Sequence, residues 1–253
     1  MRCSPKVRLR RGFEAARVTY RQAAKAQRQA AEAVASRLPE LAAPRVLEIG
    51  AGGGLLTGLV LRRLVPALYV ALDLSARLVA PDALDAAGRA FGLAADGEAA
   101  PFRPGAFDLL VSASAMQWYA RPAAGIRDNL RLLAPGGFYS LSLFTRGSLP
   151  ELAEAARLSG FGGVHPLPEA GELAGALADL GPNVASARIT VWYESVEAAL
   201  RSLKLAGANR PSGPPRFGKT LYTSFREAYL GRYGSGGRVP LSYEVLYLWG
   251  TAR

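Results

Sequence analysis

Short apolar runs alternate with helical stretches along the first 145 residues. The runs over 45–50, 67–72, 107–111 and 137–143 are bounded by Gly, Pro or Asp, which predicts buried strands. A further strand is expected to end just before Asp96. Strands that alternate with helices indicate parallel crossover connections, so we predict an α/β fold with a doubly wound, mostly parallel sheet.

The two ends of the chain add a long helix and a helical cover. Residues 13–38 are rich in Ala, Gln, Arg and Glu without Gly or Pro, which predicts one N-terminal helix that ends before Pro39. Near the C-terminus the pattern predicts two further strands, over 187–193 and 242–252, and two helices, over 195–206 and 220–233. The predicted sheet therefore has seven strands.

Composition excludes several classes of protein. Of the 253 residues, 50% are hydrophobic and 20% are charged, which argues against a disordered or fibrous chain. The single cysteine, Cys3, cannot form an internal disulfide, and with the single histidine, His165, it cannot build a zinc site of the usual type. The sequence also lacks an uncharged apolar run long enough for a membrane span. Its start lacks the apolar centre of a secretory signal. We therefore expect a cytoplasmic protein.

The formal net charge of +11 is concentrated near the N-terminus. Residues 1–45 contain 11 Lys/Arg against 3 Asp/Glu, whereas residues 46–144 contain 8 of each. Such a cluster indicates an acidic partner, which could be nucleic acid, a membrane surface or an acidic protein, unless it is only a solvated face.

A glycine-rich turn follows the first predicted strand, in the segment Glu48-Ile-Gly-Ala-Gly-Gly-Gly54. A dinucleotide site would require glycine where Leu55 stands. The pattern Glu-x-Gly-x-Gly-x-Gly instead favours S-adenosylmethionine, whose amino acid end needs backbone groups and open space at the turn. Asp73 ends the second strand, where a carboxylate can accept hydrogen bonds from both ribose hydroxyls.

Two later segments complete this candidate site. Asp96 and Gly97 come at the end of the third strand, where a carboxylate could accept from the adenine amino group or merely shape a turn. The small residues 112–115 leave room for the methyl donor at the tip of the fourth strand. Gln117 and Trp118 follow, either as a wall beside cofactor and acceptor or as core residues.

A phosphate-loop pattern also occurs, over residues 213–220. That loop requires a preceding buried strand and free backbone N–H donors, whereas here a helix end precedes it and Pro214 and Pro215 remove two donors. We therefore do not expect nucleoside triphosphate binding.

Several motifs together resemble a known family. Val46-Leu-Glu-Ile-Gly-Ala-Gly-Gly-Gly54, Leu72-Asp-Leu-Ser75 and Pro135-Gly-Gly137 resemble the class I S-adenosylmethionine-dependent methyltransferases. Ala115-Met-Gln-Trp118, Gly147-Ser-Leu-Pro-Glu-Leu152, Arg201-Ser-Leu-Lys204 and Pro240-Leu-Ser-Tyr-Glu-Val245 resemble, more narrowly, the malonyl-acyl carrier protein O-methyltransferases of biotin synthesis. The chain departs from that pattern at Ala23, Ala51 and Gly53, where the family often has histidine, cysteine and proline.

The resemblance implies methyl transfer from S-adenosylmethionine to the free carboxylate of a malonyl thioester. This acceptor is already a nucleophile near neutral pH, so no general base is required and no histidine is expected at the site. Arg201 and Lys204 share one face of a predicted helix and could orient the carboxylate, although Arg201 could instead pair with Glu197. Tyr20 could close the cofactor pocket or simply pack.

The resemblance also supplies a partner, because acyl carrier protein is small and acidic and would complement the basic N-terminal segment. An RNA or small-molecule methyltransferase and an assembly factor on the same fold are the alternatives. We predict one domain over 1–253, with a basic N-terminal helix in 1–44, a cofactor-binding half in 45–145 and a substrate-side half in 146–253. The expected catalytic residues are Tyr20, Trp118, Arg201 and Lys204. The expected cofactor-binding residues are Glu48, Gly50, Ala51, Gly52, Asp73, Leu74, Asp96, Gly97, Ser112 and Gln117.

Overall fold

A computed structural model describes residues 5–79, 89–207 and 218–252. Most of the phosphate-loop pattern, residues 213–217, lies outside them. The helices in these ranges are α1 Pro5–Ala16, α2 Tyr20–Ala23, α3 Lys25–Ser36, α4 Leu55–Leu61, α5 Pro122–Leu130, α6 Pro150–Ser159, α7 Ala170–Ala176, α8 Val196–Leu205 and α9 Lys219–Tyr233. The strands are β1 Arg45–Ile49, β2 Leu68–Asp73, β3 Ala90–Ala94, β4 Phe107–Ala113, β5 Leu133–Phe144, β6 Asn183–Tyr193 and β7 Val239–Thr251.

The described strands form one seven-stranded sheet in the order β3-β2-β1-β4-β5-β7-β6. The first five strands are parallel, and β7 runs antiparallel between β5 and β6. The doubly wound, mostly parallel fold predicted from the sequence is confirmed. Because the strand order reverses between β1 and β4, a crevice opens there at the carboxyl ends of the strands.

Helices cover both faces of the sheet, and each face has its own apolar core. On one face, Val34 of α3 and Val60 of α4 pack with β1, β2 and β4. On the other face, Ile126 of α5 and Leu173 of α7 pack against the same strands and β5. A third cluster joins α6, α8 and α9 to the antiparallel end of the sheet, so the C-terminal half covers one side of the crevice.

The N-terminal segment differs from the single helix predicted over 13–38. Helix begins earlier, at Pro5, and is interrupted after Ala16 and again at Ala24, whose φ/ψ of −78/54 are not helical. The Thr19 hydroxyl oxygen lies 3.1 Å from the carbonyl oxygen of Ala16 and 2.9 Å from that of Leu205, so its single proton is shared between a helix-end carbonyl of α1 and the end of α8. No Gly or Pro marks these breaks, because contacts with the rest of the fold cause them.

Within the part of the chain that the structure describes, no helix is both long and apolar enough to cross a membrane.

Candidate active site

The glycine-rich turn after β1 forms because its backbone adopts conformations that other residues rarely reach. Gly50 and Gly52 have φ of +78° and +52°. A Cβ on Gly50 would lie 2.1 Å from the Cβ of Ala115, so only glycine lets the β1 turn approach the end of β4. The N–H groups of Gly50 and Ala51 both donate to the carbonyl of Leu72, which joins the turn to β2.

Asp73 lies at the end of β2, directly beside that turn. Its Oδ2 accepts from the Gly52 N–H at 3.1 Å and its Oδ1 accepts from the Ser75 N–H at 2.9 Å. The side chain is 9% exposed, and burial raises the pKa of its carboxyl above the ordinary value although the two N–H donors oppose this shift. Each oxygen keeps a lone pair for a ligand, since a carboxylate oxygen can accept two hydrogen bonds.

A cavity of about 810 Å³ lies over the turn and the ends of β1, β2 and β4. Eight of the predicted site residues line it: Tyr20, Gly50, Gly52, Asp73, Leu74, Asp96, Gly97 and Trp118. At its far end a Cβ on Gly97 would lie 2.3 Å from the Tyr119 hydroxyl oxygen, so glycine is required there to leave the wall intact. The donor and acceptor set, with one ribose-type carboxylate and a bare glycine turn, fits S-adenosylmethionine.

A second cavity of about 710 Å³ adjoins the first. Phe13, Tyr20, Ser114 and Trp118 line both cavities, so these four side chains surround the place where the two meet. The second cavity is largely apolar, and its polar groups belong to Gln27, Gln117, Ser148, His165 and Tyr243, among others. Gln117 is held by a hydrogen bond of 2.8 Å from its Nε2 to the Ser114 carbonyl.

Aromatic side chains that contact one another line this junction. The Phe13 ring meets Trp118 edge-on at a centroid distance of 6.1 Å and Tyr20 at 6.4 Å. Burial, with a further contribution from the nearby Asp73 charge, raises the pKa of the Tyr20 hydroxyl far above its ordinary value. Tyr20 is therefore a neutral hydrogen-bond donor at physiological pH.

Three of the predicted cofactor residues lie behind the cavity wall instead of on it. Ala51 is 3% exposed and belongs to the apolar core beneath the turn. The Ser112 hydroxyl donates to the carbonyl of Ile49 at 2.8 Å and so links β4 to β1. Glu48 is fully buried, and its Oε2 accepts from the Thr57 and Tyr69 hydroxyls at 2.5 and 2.6 Å. Side chains alternate across a strand, which turns Glu48 of β1 and Ser112 of β4 away from the cavity.

Arg201 and Lys204 are exposed on α8. Arg201 lines an open groove between α2 and α8, beside Gln22 and Lys25, and outside the two cavities described above. Glu197, the alternative partner considered for Arg201, accepts hydrogen bonds from Tyr222 and Arg226. The predicted role of Arg201 and Lys204 in holding the acceptor is not tested by this arrangement.

Helix α1 contributes residues that the sequence analysis missed. Lys6, Leu9, Arg10 and Phe13 lie on one helical face and line the first cavity. The Lys6 ammonium lies 2.5 Å from Asp96 Oδ2 and 2.6 Å from Glu98 Oε2, which fastens α1 over the end of the cavity that Asp96 and Gly97 line. Positions 6, 9, 10 and 13 have the spacing of one helical face, and this spacing could have indicated from the sequence that the four residues act together.

The expectation that no histidine lies at the site is wrong. His165 lines the second cavity and its ring stacks on Trp118 at 5.3 Å between centroids, with 28° between the planes. It belongs to the irregular segment between α6 and α7, more than 40 residues from Trp118 in sequence, so no local pattern indicated the contact.

Comparison with known proteins identifies the family. A family model described as "Methyltransferase domain" matches residues 47–141. The malonyl-acyl carrier protein O-methyltransferase of Marinomonas sp. (strain MWYL1) is 30% identical over 97% of this chain and 93% of its own length. The chain belongs to the malonyl-acyl carrier protein O-methyltransferase family. The enzyme of that name from Laribacter hongkongensis is 32% identical over 96% of this chain and 88% of its own length.

Solved structures confirm the fold of this methyltransferase. The YcgJ protein from Bacillus subtilis superposes with a TM-score of 0.63 over 89% of this chain and 98% of its own, at 13% identity. A putative methyltransferase from Haloferax volcanii, bound to its Trm112 activator, gives a TM-score of 0.59 over 95% of this chain and 96% of its own, at 18% identity. Membership of the family makes this chain an O-methyltransferase that uses S-adenosylmethionine.

Two segments that resemble the malonyl-acyl carrier protein methyltransferases meet at the second cavity. Ser148 donates through its hydroxyl to the Glu244 carbonyl at 3.1 Å and accepts from the Glu244 N–H at 2.9 Å. Glu151 Oε2 accepts from the Ser242 N–H at 3.1 Å. Segments 147–152 and 240–245 thus brace one another and present Ser148, Leu149, Leu152 and Tyr243 to the cavity.

Proposed function

We propose that this chain transfers a methyl group from S-adenosylmethionine to the free carboxylate of a malonyl thioester carried by acyl carrier protein. The observation that carries the proposal is the pair of adjoining cavities, one with a glycine turn and Asp73, the other apolar, which share the wall of Phe13, Tyr20, Ser114 and Trp118. Such a wall suits a donor on one side and an acceptor on the other. Family membership and the whole-length relatives support the choice of acceptor.

In this proposal the glycine-rich turn and the carboxylate of Asp73 hold the methyl donor in the first cavity. S-adenosylmethionine, when bound, supplies a methyl group on a sulfonium, which a carboxylate oxygen can take without proton transfer. Asp73 accepts from the ribose hydroxyls, and Asp96 is placed to accept from the adenine amino group through lone pairs not used by Lys6 and the Glu98 N–H. Gly50 and Gly52 leave the amino acid end room beside the backbone.

The residues at the junction would act by placing and desolvating the acceptor. An apolar cavity strips water from a carboxylate, and holding it in line with the methyl group removes much of the entropic barrier. Tyr20 is protonated and lines both cavities, so it can donate a hydrogen bond to one carboxylate oxygen while the other attacks. No base is required, and the product is a neutral ester.

The acceptor chemistry is tested with two carrier proteins that differ only in the free carboxylate. Purified protein is incubated with methyl-labelled S-adenosylmethionine and either malonyl- or acetyl-acyl carrier protein. Label on the malonyl form alone supports the proposal, and equal labelling of the acetyl form contradicts it.

A basic surface beside the second cavity is the proposed docking site for the carrier protein. It is formed by Arg21, Lys25 and Arg28 on α2 and α3 and by Arg201 and Lys204 on α8, and the two helices α2 and α8 pack together. The Arg28 guanidinium donates to the Arg21 backbone carbonyl at 2.8 Å, which holds the Arg28 side chain beside the end of α2. An acidic carrier protein would approach such a surface faster at low salt.

Reversing two charges on this surface tests the docking role. In the variant Arg21→Glu with Arg28→Glu, we expect activity on malonyl-acyl carrier protein to fall and lose its salt sensitivity, because electrostatic attraction to the carrier is removed. Activity on malonyl-coenzyme A, where it occurs, should change less. Steady-state rates at low and high salt measure both effects.

The matched control is Arg62→Glu with Arg63→Glu, which makes the same charge change on two exposed arginines after α4. This control should keep the salt dependence of the native chain. Equal losses on both acceptors, or the same loss in the control, would remove the docking role from α2 and α3.

Arg201→Ala separates docking from a direct hold on the carboxylate. A residue that holds the malonyl carboxylate should, when truncated, raise the Michaelis constant about tenfold or more for carrier and coenzyme A thioesters alike. From the exposed position of Arg201 we expect the loss to be confined to the carrier-bound acceptor. An equal loss on both acceptors, with an unchanged melting temperature, would contradict this and restore the direct role.

A further inference from the structure

The second cavity, which is proposed above to receive the acceptor, is poor in groups that could balance a negative charge. Its wall is dominated by aromatic and aliphatic side chains, such as Phe144, Leu152 and Leu203. Among the described residues that line it, His165 is the one whose side chain can carry a positive charge. A carboxylate brought into an apolar site without a counter-charge or hydrogen bonds pays a large desolvation cost.

His165 is also held next to the junction of the two cavities. Its imidazole stacks on Trp118, which lines both cavities, at 5.3 Å between ring centroids. The stacking holds the plane of the imidazole ring against Trp118 at this junction.

The segment that carries His165 is anchored at both ends. Near its start the Phe161 N–H donates to the Ser159 hydroxyl at 3.1 Å, and the Phe161 ring packs against Phe225 at 5.3 Å. Near its end the Arg146 N–H donates to the Pro168 carbonyl at 2.8 Å. These contacts tie the segment to the start and end of α6 and to α9, so His165 is set by the surrounding fold.

We propose that His165 binds the free carboxylate of the acceptor and orients it toward the methyl donor. An N–H of the imidazole donates to one carboxylate oxygen, which leaves the other oxygen to attack. The positive charge of a protonated imidazole attracts the carboxylate of the substrate. The methyl ester product is neutral and is not attracted in this way, so binding favours the substrate over the product. This inference rests on the proposed function and assigns it a residue that the sequence did not indicate for this role.

Arginine side chains lie in a groove on the outer side of this segment. His165 also lines an outer groove together with Arg146, Arg157 and Glu154, where Arg157 is paired with Glu154 at 2.9 Å. Arg146 is exposed in that groove and thus faces the approach to the cavity. It is the rival for the same role and belongs in the same experiment.

Three variants at position 165 separate charge, hydrogen bonding and ring packing. His165→Phe keeps an aromatic ring against Trp118 but loses the N–H, His165→Gln keeps an N–H donor without charge, and His165→Arg keeps a charge and donors. We expect the Michaelis constant for malonyl-acyl carrier protein to rise about tenfold or more in His165→Phe, to rise less in His165→Gln and to be partly rescued in His165→Arg. S-adenosylmethionine affinity and inhibition by acetyl-acyl carrier protein should stay unchanged in all three.

The outcomes distinguish this inference from the proposed function. If the native chain does not label malonyl-acyl carrier protein, the proposed function fails. If the native chain is active but His165→Phe keeps its Michaelis constant, only the role of His165 fails, and a tenfold rise in Arg146→Ala would then assign the carboxylate to Arg146. An equal rise of the Michaelis constant in His165→Phe, His165→Gln and His165→Arg, together with weaker inhibition by acetyl-acyl carrier protein, would show that His165 only shapes the cavity. This result would also overturn the proposal.

Discussion

Replacing Asp73 by Ala is expected to weaken S-adenosylmethionine binding by roughly 1.5 to 3 kcal/mol, about 10- to 150-fold in the dissociation constant, the cost of losing hydrogen bonds to a charged group. The carboxylate lines the first cavity and is already oriented by the Gly52 and Ser75 N–H groups, so its remaining lone pairs are in place before a ligand arrives. Isothermal calorimetry measures the change directly.

The same two N–H groups give Asp73 a structural role, so a second variant is needed. Asp73→Asn keeps one acceptor oxygen for the turn and should lose less affinity than Asp73→Ala while melting closer to the native temperature. Asp128→Asn, the same change on an exposed side chain of α5, should leave binding unaltered. An unchanged dissociation constant in a folded Asp73→Ala protein would show that Asp73 does not bind the cofactor and only ends the strand.

Glu48→Gln is expected to remove a pH dependence from the stability of the fold. Burial raises the pKa of the Glu48 carboxyl from 4.5 to about 7, in opposition to the Thr57 and Tyr69 hydroxyls that hydrogen-bond to it. The folded chain thus holds this proton more tightly than the unfolded chain does. The free energy of unfolding should fall by about 3 kcal/mol as pH rises from about 4.5 to about 7, and then level off.

Denaturant unfolding at several pH values checks this expectation. Glu48→Gln is permanently neutral, so its stability should lack that slope and should exceed that of the native chain most clearly at and above neutral pH. Glu227→Gln, on an exposed position of α9, serves as the control and should retain the slope. Because Glu48 lies behind the cavity wall, S-adenosylmethionine affinity should change little in Glu48→Gln. A large loss of affinity would show that Glu48 binds the cofactor after all.

The sheet was predictable from the sequence because each buried strand leaves its own local mark. Apolar runs bounded by Gly, Pro or Asp appear as β1, β2, β4 and β5 with ends shifted by a few residues. The cofactor turn was predictable for the same reason, since Gly50 and Gly52 are required by backbone conformations that are local.

What escaped prediction depends on contacts between distant segments. The break between α1 and α2 is held by the contact between Thr19 and Leu205, which are 186 residues apart. The stacking of His165 on Trp118 likewise joins residues that no periodicity relates. The side-chain directions of Glu48 and Ser112 could not be inferred from their membership of motifs, because adjacent strand positions face opposite sides of the sheet.

The most direct test of the proposed acceptor follows the methyl label to its chemical position. The protein is incubated with methyl-labelled S-adenosylmethionine and a mixture of malonyl-acyl carrier protein, malonyl-coenzyme A and bulk RNA, and each fraction is separated and treated with mild alkali. We predict that label accumulates on malonyl-acyl carrier protein and is released by alkali as methanol, as expected for a methyl ester. Label in the RNA fraction, or none on the malonyl thioesters, would contradict the account.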